Sequence, residues 1–525
     1  MSNSYNLFII FILAISSVLL ADNTVTKETS KALPNTTIIK ENKVVPIKVT
    51  NQMVSSVRKK ITAKSSSKEE KLLALEQLKK YADTKFTEAV YWYAWMRFYG
   101  YGNKNADKKE ALSYFEKAAQ KNHYLALYWV GYYYGNGYVV KKDPIKAKEY
   151  MKKSADTGVL AQMLHFAKQC QYGRYFKRDY PLALEYLNKT FTKNYAPGIA
   201  YLAKTYAYGW GVKKDYKKAF NLYKKAADLG DVAAMYEVGM ASCFSRGVTR
   251  DPKLEMEYFS KAAAKGHVEA TYRVGNTYYF GFAGEQSFTK ALEYFHKAAK
   301  KGSLDAINQI GFCYLRGFGV KKDSKEALKW FEKGVKRKSV SSYMNLARMY
   351  LFGEGVEKDY QKAFNYYNLI HQSKDSFYKR ITGGEISIFY EQGIIVKKDL
   401  AKAFYYNNLS YGTAGRIKAG IALLKGAGTK VNVEAALLKF EAAYKFNKSP
   451  EAALLAASIY IANKPGYPYN PDRAMELLEF AAEHKNRRAI QILIEGFRFG
   501  KWNFPKDEAI AMQWQKKLEA LKLGE

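Results

Sequence analysis

The chain is long and strongly basic, and its composition excludes several kinds of protein. Its 525 residues include 85 lysines and arginines against 49 aspartates and glutamates, which gives a formal net charge of +36. Such a surplus favours anionic partners or, alternatively, a large solvated helical surface rich in lysine. Three scattered cysteines without a C-x-x-C pair exclude a disulfide framework, and six histidines without an H-E-x-x-H motif predict neither a metal site nor another cofactor.

Residues 1–21 are typical of a signal peptide. Residues 7–20 are almost wholly apolar, which is short for a membrane span of about 20 residues, and the small Ala21 follows. We expect processing after Ala21, although no lysine or arginine precedes the apolar run. The alternative is an uncleaved anchor. Either way the remaining chain is expected to be exported, to the periplasm or the medium in a bacterium, or to the lumen of the endoplasmic reticulum in a eukaryote.

Residues 22–67 differ from the rest of the chain in composition. They are rich in threonine, serine, lysine and asparagine, contain Pro34 and Pro46, and show no lasting helical period. This composition predicts a flexible tether.

A repeat of 36 residues organises the chain from residue 68 to residue 525. Residues 68–87 hold a lone capping helix over Lys68 to Asp83, residues 488–525 hold a carboxy-terminal cap, and twelve helical pairs are predicted. The predicted pairs begin near Glu88, Leu125, Leu160, Ala196, Val232, Val268, Leu304, Val340, Ser376, Ala414, Pro450 and Arg488. After residue 374 the register slips, but the pattern continues.

Two columns of the repeat predict the ends of the helices. Aspartate or serine recurs where the second helix of a pair should begin, and both are preferred N-cap residues. These positions are Asp107, Asp143, Asp179, Asp215, Asp251, Ser287, Asp323 and Asp359. Glycine and asparagine dominate the column where the second helix should end in a left-handed residue. Its members are Asn122, Gly158, Asn194, Gly230, Gly266, Gly302, Lys338 and Lys374.

The repeat resembles the Sel1-like repeat family, a relative of the tetratricopeptide repeat. The resemblance rests on the turn Tyr-x-x-Gly-x-Gly-Val-x-x-Asp, as in residues 206–215, and on Lys-Ala-Ala-x-x-Gly, as in residues 225–230. It covers residues 68–525 and implies an all-α fold, a right-handed superhelical α-solenoid of about twelve helix-turn-helix repeats. It also implies a scaffold or adaptor role and no reaction. The glycine-rich turn at residues 209–215, which alone suggests a phosphate loop, is therefore interpreted as a structural turn.

Comparing the first helices of the repeats separates packing positions from variable ones. One column is small because two helices cross closely there, and Trp95 interrupts it in the first repeat. Cys170 falls in a column of tyrosines and is predicted to be a core residue rather than a nucleophile. By resemblance to related solenoids, the variable columns line a concave groove. The predicted partner-binding residues are Trp92, Tyr93, Tyr128, Trp129, Tyr132, Lys204, Glu237, Arg273, Asn276, Asn308, Gln309, Asn345 and Arg348.

Aromatic residues and arginine are the usual anchors of protein interfaces, so this groove suits a protein or peptide partner. The alternative is that some of these aromatics only fill contacts between repeats. A lysine column on the second helices favours an anionic glycan or a membrane surface, or else a solvated helix face. Its members are Lys117, Lys153, Lys189, Lys225, Lys261, Lys297 and Lys333. Nucleic acid is not expected as the ligand of an exported chain, and no catalytic residues are predicted. A non-enzymatic scaffold is the first hypothesis, a glycan binder the second and a cell-wall enzyme the third.

Overall fold

The computed structural model describes residues 48–102 and 105–523. Within these residues the chain forms 26 α-helices and one 3-10 helix and contains no β-strand, as predicted for an all-α solenoid. None of the described helices is both long enough and apolar enough to cross a membrane. The predicted signal peptide and the first part of the predicted tether lie outside the described residues. The chain divides into two compact units at residues 267 and 268.

The described part of the first unit consists of helices α1 to α12. Their bounds are α1 Asn51–Thr62, α2 Lys68–Asp83, α3 Thr87–Tyr99, α4 Lys108–Ala119, α5 Tyr124–Asn136, α6 Pro144–Asp156, α7 Leu160–Tyr172, α8 Tyr180–Thr192, α9 Ala196–Tyr208, α10 Tyr216–Asp228, α11 Val232–Cys243 and α12 Pro252–Ala264. From α3 onwards, each odd-numbered helix is the first helix of a repeat and packs against the even-numbered helix that follows.

The described part of the second unit consists of helices α13 to α26. Their bounds are α13 Val268–Phe280, α14 Phe288–Lys300, α15 Leu304–Arg316, α16 Ser324–Lys336, α17 Val340–Phe352, α18 Tyr360–Gln372, α19 Ser376–Gln392, α20 Leu400–Leu409, α21 Thr413–Lys425, α22 Val433–Asn447, α23 Pro450–Tyr460, α24 Pro471–Glu483, α25 Arg487–Phe499 and α26 Glu508–Leu523. The 3-10 helix Lys501–Asn503 precedes α26. The long α19 and the short α20 account for the slip in register after residue 374.

The predicted caps set the helix boundaries. Each of the twelve first helices begins within one residue of its predicted start, for example α3 at Thr87 and α9 at Ala196. Every member of the predicted N-cap column accepts a hydrogen bond from a backbone N–H in the first turn of its helix. In α10, for instance, Asp215 Oδ1 accepts from the backbone N–H of Lys218 at 2.8 Å. These bonds satisfy backbone groups that a helix end otherwise leaves unpaired.

The two glycines of the turn have different physical roles. Gly209 ends α9 in the left-handed conformation, with a φ of 73°, and its N–H donates to the Thr205 carbonyl at 3.0 Å. Gly211 also has a positive φ, but the stronger reason for glycine at this position is steric. A Cβ there would lie 2.2 Å from the Tyr180 Cβ, on the second helix of the preceding repeat. The turn is structural, as predicted, and Gly211 in addition allows close packing between repeats.

The predicted left-handed column at the ends of the second helices is confirmed at seven positions and wrong at the eighth. Positive φ angles occur at all its members from Asn122 to Lys338. Lys374 does not belong to the column, because α18 ends at Ser373 in an extended conformation, where the register starts to slip.

The small column marks a close crossing within each repeat. In α11 a Cβ added to Gly239 would lie 2.6 Å from a ring carbon of Phe259, and in α15 a Cβ added to Gly311 would lie 2.6 Å from Phe331. Both phenylalanines are buried on the second helix of the same repeat. The absent side chain of the first helix therefore makes room for a ring on the second. Cys170 is fully buried in the core, as predicted.

Part of the predicted tether is helical, which corrects the sequence analysis. Residues 51–62 form α1, whose N-cap Thr50 accepts from the Met53 N–H at 3.3 Å. Val54, Val57 and Ile61 lie at helical spacing and are buried, and α1 packs against α2 and α3. The helix was missed because only Met53 and these three residues are apolar in an otherwise polar stretch. The predicted capping helix α2 therefore has a partner and is not alone.

The first repeat is one residue longer than the others, which also corrects the predicted register. The C-cap glycines Gly100 and Gly137 are 37 residues apart, whereas Gly173 and Gly209 are 36 apart. The extra residue lies in the turn after Gly100. The small residue of α3 is consequently Ala94, which is fully buried, and Trp95 does not interrupt the small column.

Candidate partner-binding surface

Four of the five predicted groove aromatics are packing residues. Trp92, Tyr93, Tyr128 and Trp129 are between 3% and 7% exposed. Trp129 stacks on Phe115 of α4, with ring centres 5.3 Å apart and an interplanar angle of 3°. These side chains hold neighbouring helices together, so for them the structure supports the alternative interpretation, contacts between repeats. Tyr132 is half-buried.

Trp92 is covered by the helix that the sequence analysis had placed in the tether. The guanidinium carbon of Arg58 in α1 lies 3.1 Å from the centre of the Trp92 ring. The indole N–H of Trp92 donates to Glu88 Oε1 at 2.7 Å, and His123 Nε2 lies 3.1 Å from Glu88 Oε2. Burial lowers the pKa of Arg58 to about 10, against the opposing effect of Glu88. Trp92 of α3 is therefore covered by α1 and is not available to a partner.

The predicted polar residues of the second unit are half-buried and largely engaged with one another. Asn345 Nδ2 donates to Asn308 Oδ1 at 2.7 Å, which joins α17 to α15. Arg348 of α17 donates to Glu385 Oε1 of α19 through Nε at 2.9 Å and Nη2 at 2.6 Å. These bonds form a polar ladder between consecutive first helices. The remaining predicted residues there are also half-buried, and they are Arg273, Asn276 and Gln309.

The predicted polar residues on the first helices of the first unit are charged. Lys204 and Glu237 are half-buried, and neither forms an ion pair among the described residues. Lys168 lies near Lys204, and burial together with this like charge lowers the Lys168 pKa. Burial raises the pKa of Glu237, with Lys204 and Arg246 acting in the opposite direction. Lys204 and Glu237 were among the predicted partner-binding residues, whereas Arg246 was not predicted from the sequence.

The lysine column on the second helices is explained by local contacts. Six of its seven ammonium groups lie 4.3 to 5.5 Å from the centre of the aromatic ring three residues earlier, and Lys225 lies 4.0 Å from that of Phe191. Lys153, Lys189 and Lys261 also pair with a glutamate four residues earlier. Such exposed pairs contribute little to stability. These local contacts favour the interpretation of the lysine column as a solvated helix face over its interpretation as a binding site for an anionic polymer.

Exposed aromatic side chains recur at the ends of first helices within each unit, and they were not predicted from the sequence. We call these residues the aromatic edge. The side chains are 43% to 63% exposed and immediately precede the position of the C-cap glycine. Its members are Tyr99, Tyr172, Tyr208, Phe244, Phe280, Phe352 and Phe499. Reading the column before that glycine would have found it, since the residues from 172 to 280 recur every 36 residues.

Aromatic contacts and cations accompany the aromatic edge in the first unit. The ring of Trp210, in the turn after α9, stacks on Tyr208 at 5.1 Å and meets Tyr172 of the preceding repeat edge-on at 6.4 Å. The Arg246 guanidinium carbon lies 4.9 Å from the centre of Phe244. Lys204 Nζ lies 5.7 Å from the centre of Trp210. This stretch therefore combines exposed rings with positive charge.

A cavity of about 160 Å³ opens beside this stretch, between the pair α9–α10 and α11. Tyr208, Arg246 and Lys214 line it together with the half-buried Glu237. Its other lining residues are Ala207, Tyr216, Ala219, Phe220, Tyr223 and Ala241. The cavity can accept a side chain of a docked partner.

The described residues include no group of three or more histidine, cysteine, aspartate or glutamate side chains that could hold a metal ion. Burial raises the pKa of the Cys170 and Cys313 thiols to about 12, so both stay protonated near neutral pH. A thiol in that state is a poor nucleophile.

Helix pairs that recur every 36 residues define the class of α-solenoid repeat proteins. A family model described as Sel1 repeat matches ten segments of the chain. They are residues 87–123, 125–159, 167–195, 196–231, 232–267, 268–303, 304–339, 340–369, 384–406 and 450–486. Since these segments make up more than half of the chain, the protein belongs to the Sel1 repeat family.

Two solved structures are similar to this chain. A protective antigen of uropathogenic Escherichia coli strains that displays an SLR fold is 23% identical, with a TM-score of 0.53, and the match covers 85% of this chain and 95% of that one. A Sel1 repeat protein from Oxalobacter formigenes is 20% identical, with a TM-score of 0.49, over 66% of this chain and 96% of that one. At such identities the likeness concerns the fold alone. A comparison with curated proteins found no match.

Proposed function

We propose that this Sel1 repeat protein is a non-enzymatic scaffold that holds a partner protein on the aromatic edge. The observation that carries the proposal is the recurrence of exposed aromatics at one position of the repeat. Folding does not require them, since Asn136 and Arg316 occupy the same position in other repeats. Exposed apolar groups that recur in this way are typical of interaction surfaces, and aromatic side chains supply most anchors of interfaces.

Protonated thiols and hydrogen-bonded polar side chains support the non-enzymatic part of the proposal. The buried thiols of Cys170 and Cys313 have raised pKa values, and several first-helix polar side chains are bonded to neighbouring helices. Such groups serve packing and register. The Sel1 repeat solenoid is also a fold typical of protein-interaction scaffolds.

We place the scaffold outside the cytosol, in the periplasm or the medium of a bacterial host. The support is the apolar run at residues 7–20 followed by Ala21. Mass spectrometry of the mature protein purified from its host would test this placement. We expect an amino terminus at Asp22, and a mature protein that retains residues 1–21 in the cytosolic fraction would contradict export.

The scaffold hypothesis is tested by capturing partners with a tag placed after Glu525. The test variant combines Tyr208→Ala and Phe244→Ala on the aromatic edge. The matched control combines Tyr405→Ala and Phe446→Ala, two exposed aromatics on the second helices α20 and α22. We expect the wild type and the control variant to capture the same partner protein, and we expect the edge variant to lose it.

Two results would contradict the scaffold hypothesis. One is a set of captured proteins that is identical for the wild type, the edge variant and the control. The other is the absence of any captured protein together with strong retention on peptidoglycan, which would favour the glycan hypothesis.

A further inference from the structure

The aromatic edge of the first unit carries an excess of exposed positive charge. Arg174, Lys214 and Arg246 are exposed, and none of them forms an ion pair among the described residues. Two of them lie in the turns two residues after an edge aromatic, Arg174 after Tyr172 and Arg246 after Phe244. An uncompensated row of cations of this kind attracts a partner of opposite charge.

The neighbouring first helices add to this charge. Burial and the like charge of Lys204 lower the pKa of Lys168, while Asp231 acts in the opposite direction, and Glu237 interacts with Lys204 and Arg246. Asp231 and Glu237 offset part of the repulsion between these half-buried ammonium groups, and a ligand anion would offset more of it. The site thus carries several cations against two carboxylates.

From this arrangement we infer that the stretch of the edge from Tyr172 to Arg246 binds an acidic, extended segment of the partner protein. Carboxylates of the segment pair with Arg174, Lys204 and Arg246. Apolar side chains of the segment pack on the rings of Tyr172, Tyr208, Trp210 and Phe244, and one of them enters the cavity beside Tyr208. The inference rests on the proposed scaffold function and specifies the chemistry of its partner.

A peptide fits this site better than a single-stranded nucleic acid does. Bases bind by stacking on free ring faces, but Tyr208 and Trp210 already stack on each other, with an interplanar angle of 15°. Arg246 likewise lies over the Phe244 ring. In addition, Glu237 would repel a chain that carries a phosphate at every residue. Acidic side chains can instead be spaced to avoid that carboxylate.

The test measures the fluorescence anisotropy of a short labelled peptide of alternating glutamate and leucine, with full-length protein at low and moderate salt. We expect Arg246→Glu to weaken binding about tenfold and Glu237→Gln to tighten it, since the first change reverses a contacting charge and the second removes the opposing carboxylate. Raising the salt should weaken binding as well. Lys109→Glu, the same charge change at an exposed site in the first turn of α4, is the matched control and should change affinity less than about twofold.

Three results would overturn the inference. The first is an equal loss of affinity in Arg246→Glu and Lys109→Glu, which would mean that the peptide senses only the net charge. The second is equal binding of a peptide with lysine in place of glutamate. The third is tighter binding of a single-stranded oligonucleotide that is itself sensitive to Arg246→Glu.

Partner capture with the same variants separates the two proposals. In one outcome, the double variant of Tyr208 and Phe244 loses the partner while Arg246→Glu keeps it at all salt concentrations. The scaffold proposal then stands, and the inference that the partner binds through an acidic segment is wrong. If both variants keep the partner, both proposals fail. Circular dichroism and the denaturant midpoint verify that each variant is folded.

Discussion

Two sets of aromatic residues on the first helices of the first unit have opposite environments. Trp92 and Trp129 lie on α3 and α5 and are almost fully buried, whereas Tyr208 and Phe244 lie where α9 and α11 end and are more than half exposed. Each buried ring faces a covering helix, Trp92 under Arg58 of α1 and Trp129 on Phe115 of α4. At the helix end no following turn of helix covers the ring. Position in the repeat, and not residue type, therefore separates the packing aromatics from the candidate binding aromatics.

Replacing a buried aromatic should have the largest effect. Trp129→Ala removes a ring that stacks on Phe115 within the core, and we expect a loss of about 3–5 kcal/mol in unfolding free energy. Denaturant unfolding followed by circular dichroism measures it. A loss near zero would mean that Trp129 is not a core residue and would restore it as a groove candidate.

Filling the small column should cost less but still disturb packing. A methyl group at Gly239 would lie 2.6 Å from the Phe259 ring, so Gly239→Ala should destabilise the protein by about 1–3 kcal/mol. The change is also a measure of how rigidly the two helices of a repeat are held. Gly158→Ala is an informative comparison, since no atom lies near that position but its φ of 90° is strained for alanine.

Acid should destabilise the protein through two half-buried histidines. Burial lowers the pKa of His165 and of His371 to about 4, with Lys168 and Lys379 as secondary causes. The unfolded chain, with a histidine pKa of about 6.5, then binds more protons than the folded chain between these values. Stability is thus full above about pH 6.5 and falls as the pH is lowered toward 4, by about 1–3 kcal/mol for each histidine.

Denaturant midpoints of the wild type and of His165→Gln between pH 4 and pH 7 test this dependence. We expect the variant to lose part of the acid sensitivity. An unchanged pH profile in the variant would show that His165 does not cause it.

Removing one N-cap should have a smaller effect. Asp215→Ala leaves the Lys218 N–H without its acceptor, and the expected loss is about 1 kcal/mol. Asp215→Asn keeps an acceptor oxygen and should restore most of that loss. Equal destabilisation by both changes would point to the charge of Asp215 rather than to capping.

Most of the fold could be predicted from the sequence because the repeat supplies many copies of each signal. A cap that is ambiguous in one copy, such as Ser287, is identified by the aspartates in the same column. The helix starts were accordingly predicted to within one residue. The extra residue after Gly100 was missed because it affects one copy only, and the N-cap column, which lies beyond it, kept the period of 36.

The predicted binding site was less accurate, since four of its aromatic residues are buried against neighbouring helices, and at Trp92 the covering helix had not been predicted. Arg58 covers Trp92, but α1, which carries Arg58, had been assigned to a tether on composition. A side chain that another segment covers cannot be identified as buried from its own helix pattern. The aromatic edge, by contrast, lies in a column of the repeat and could have been found by reading that column. Lys204 and Glu237 were named from the sequence, and both lie beside the aromatic edge.

The most direct test of the central claim compares stability and binding in the same variant. For the double variant Tyr208→Ala and Phe244→Ala, we predict an unfolding free energy within about 0.5 kcal/mol of the wild type for each substituted residue, together with loss of the captured partner. A loss of stability approaching that of Trp129→Ala, or undiminished capture of the partner by a folded variant, would contradict the claim that the aromatic edge serves binding rather than folding.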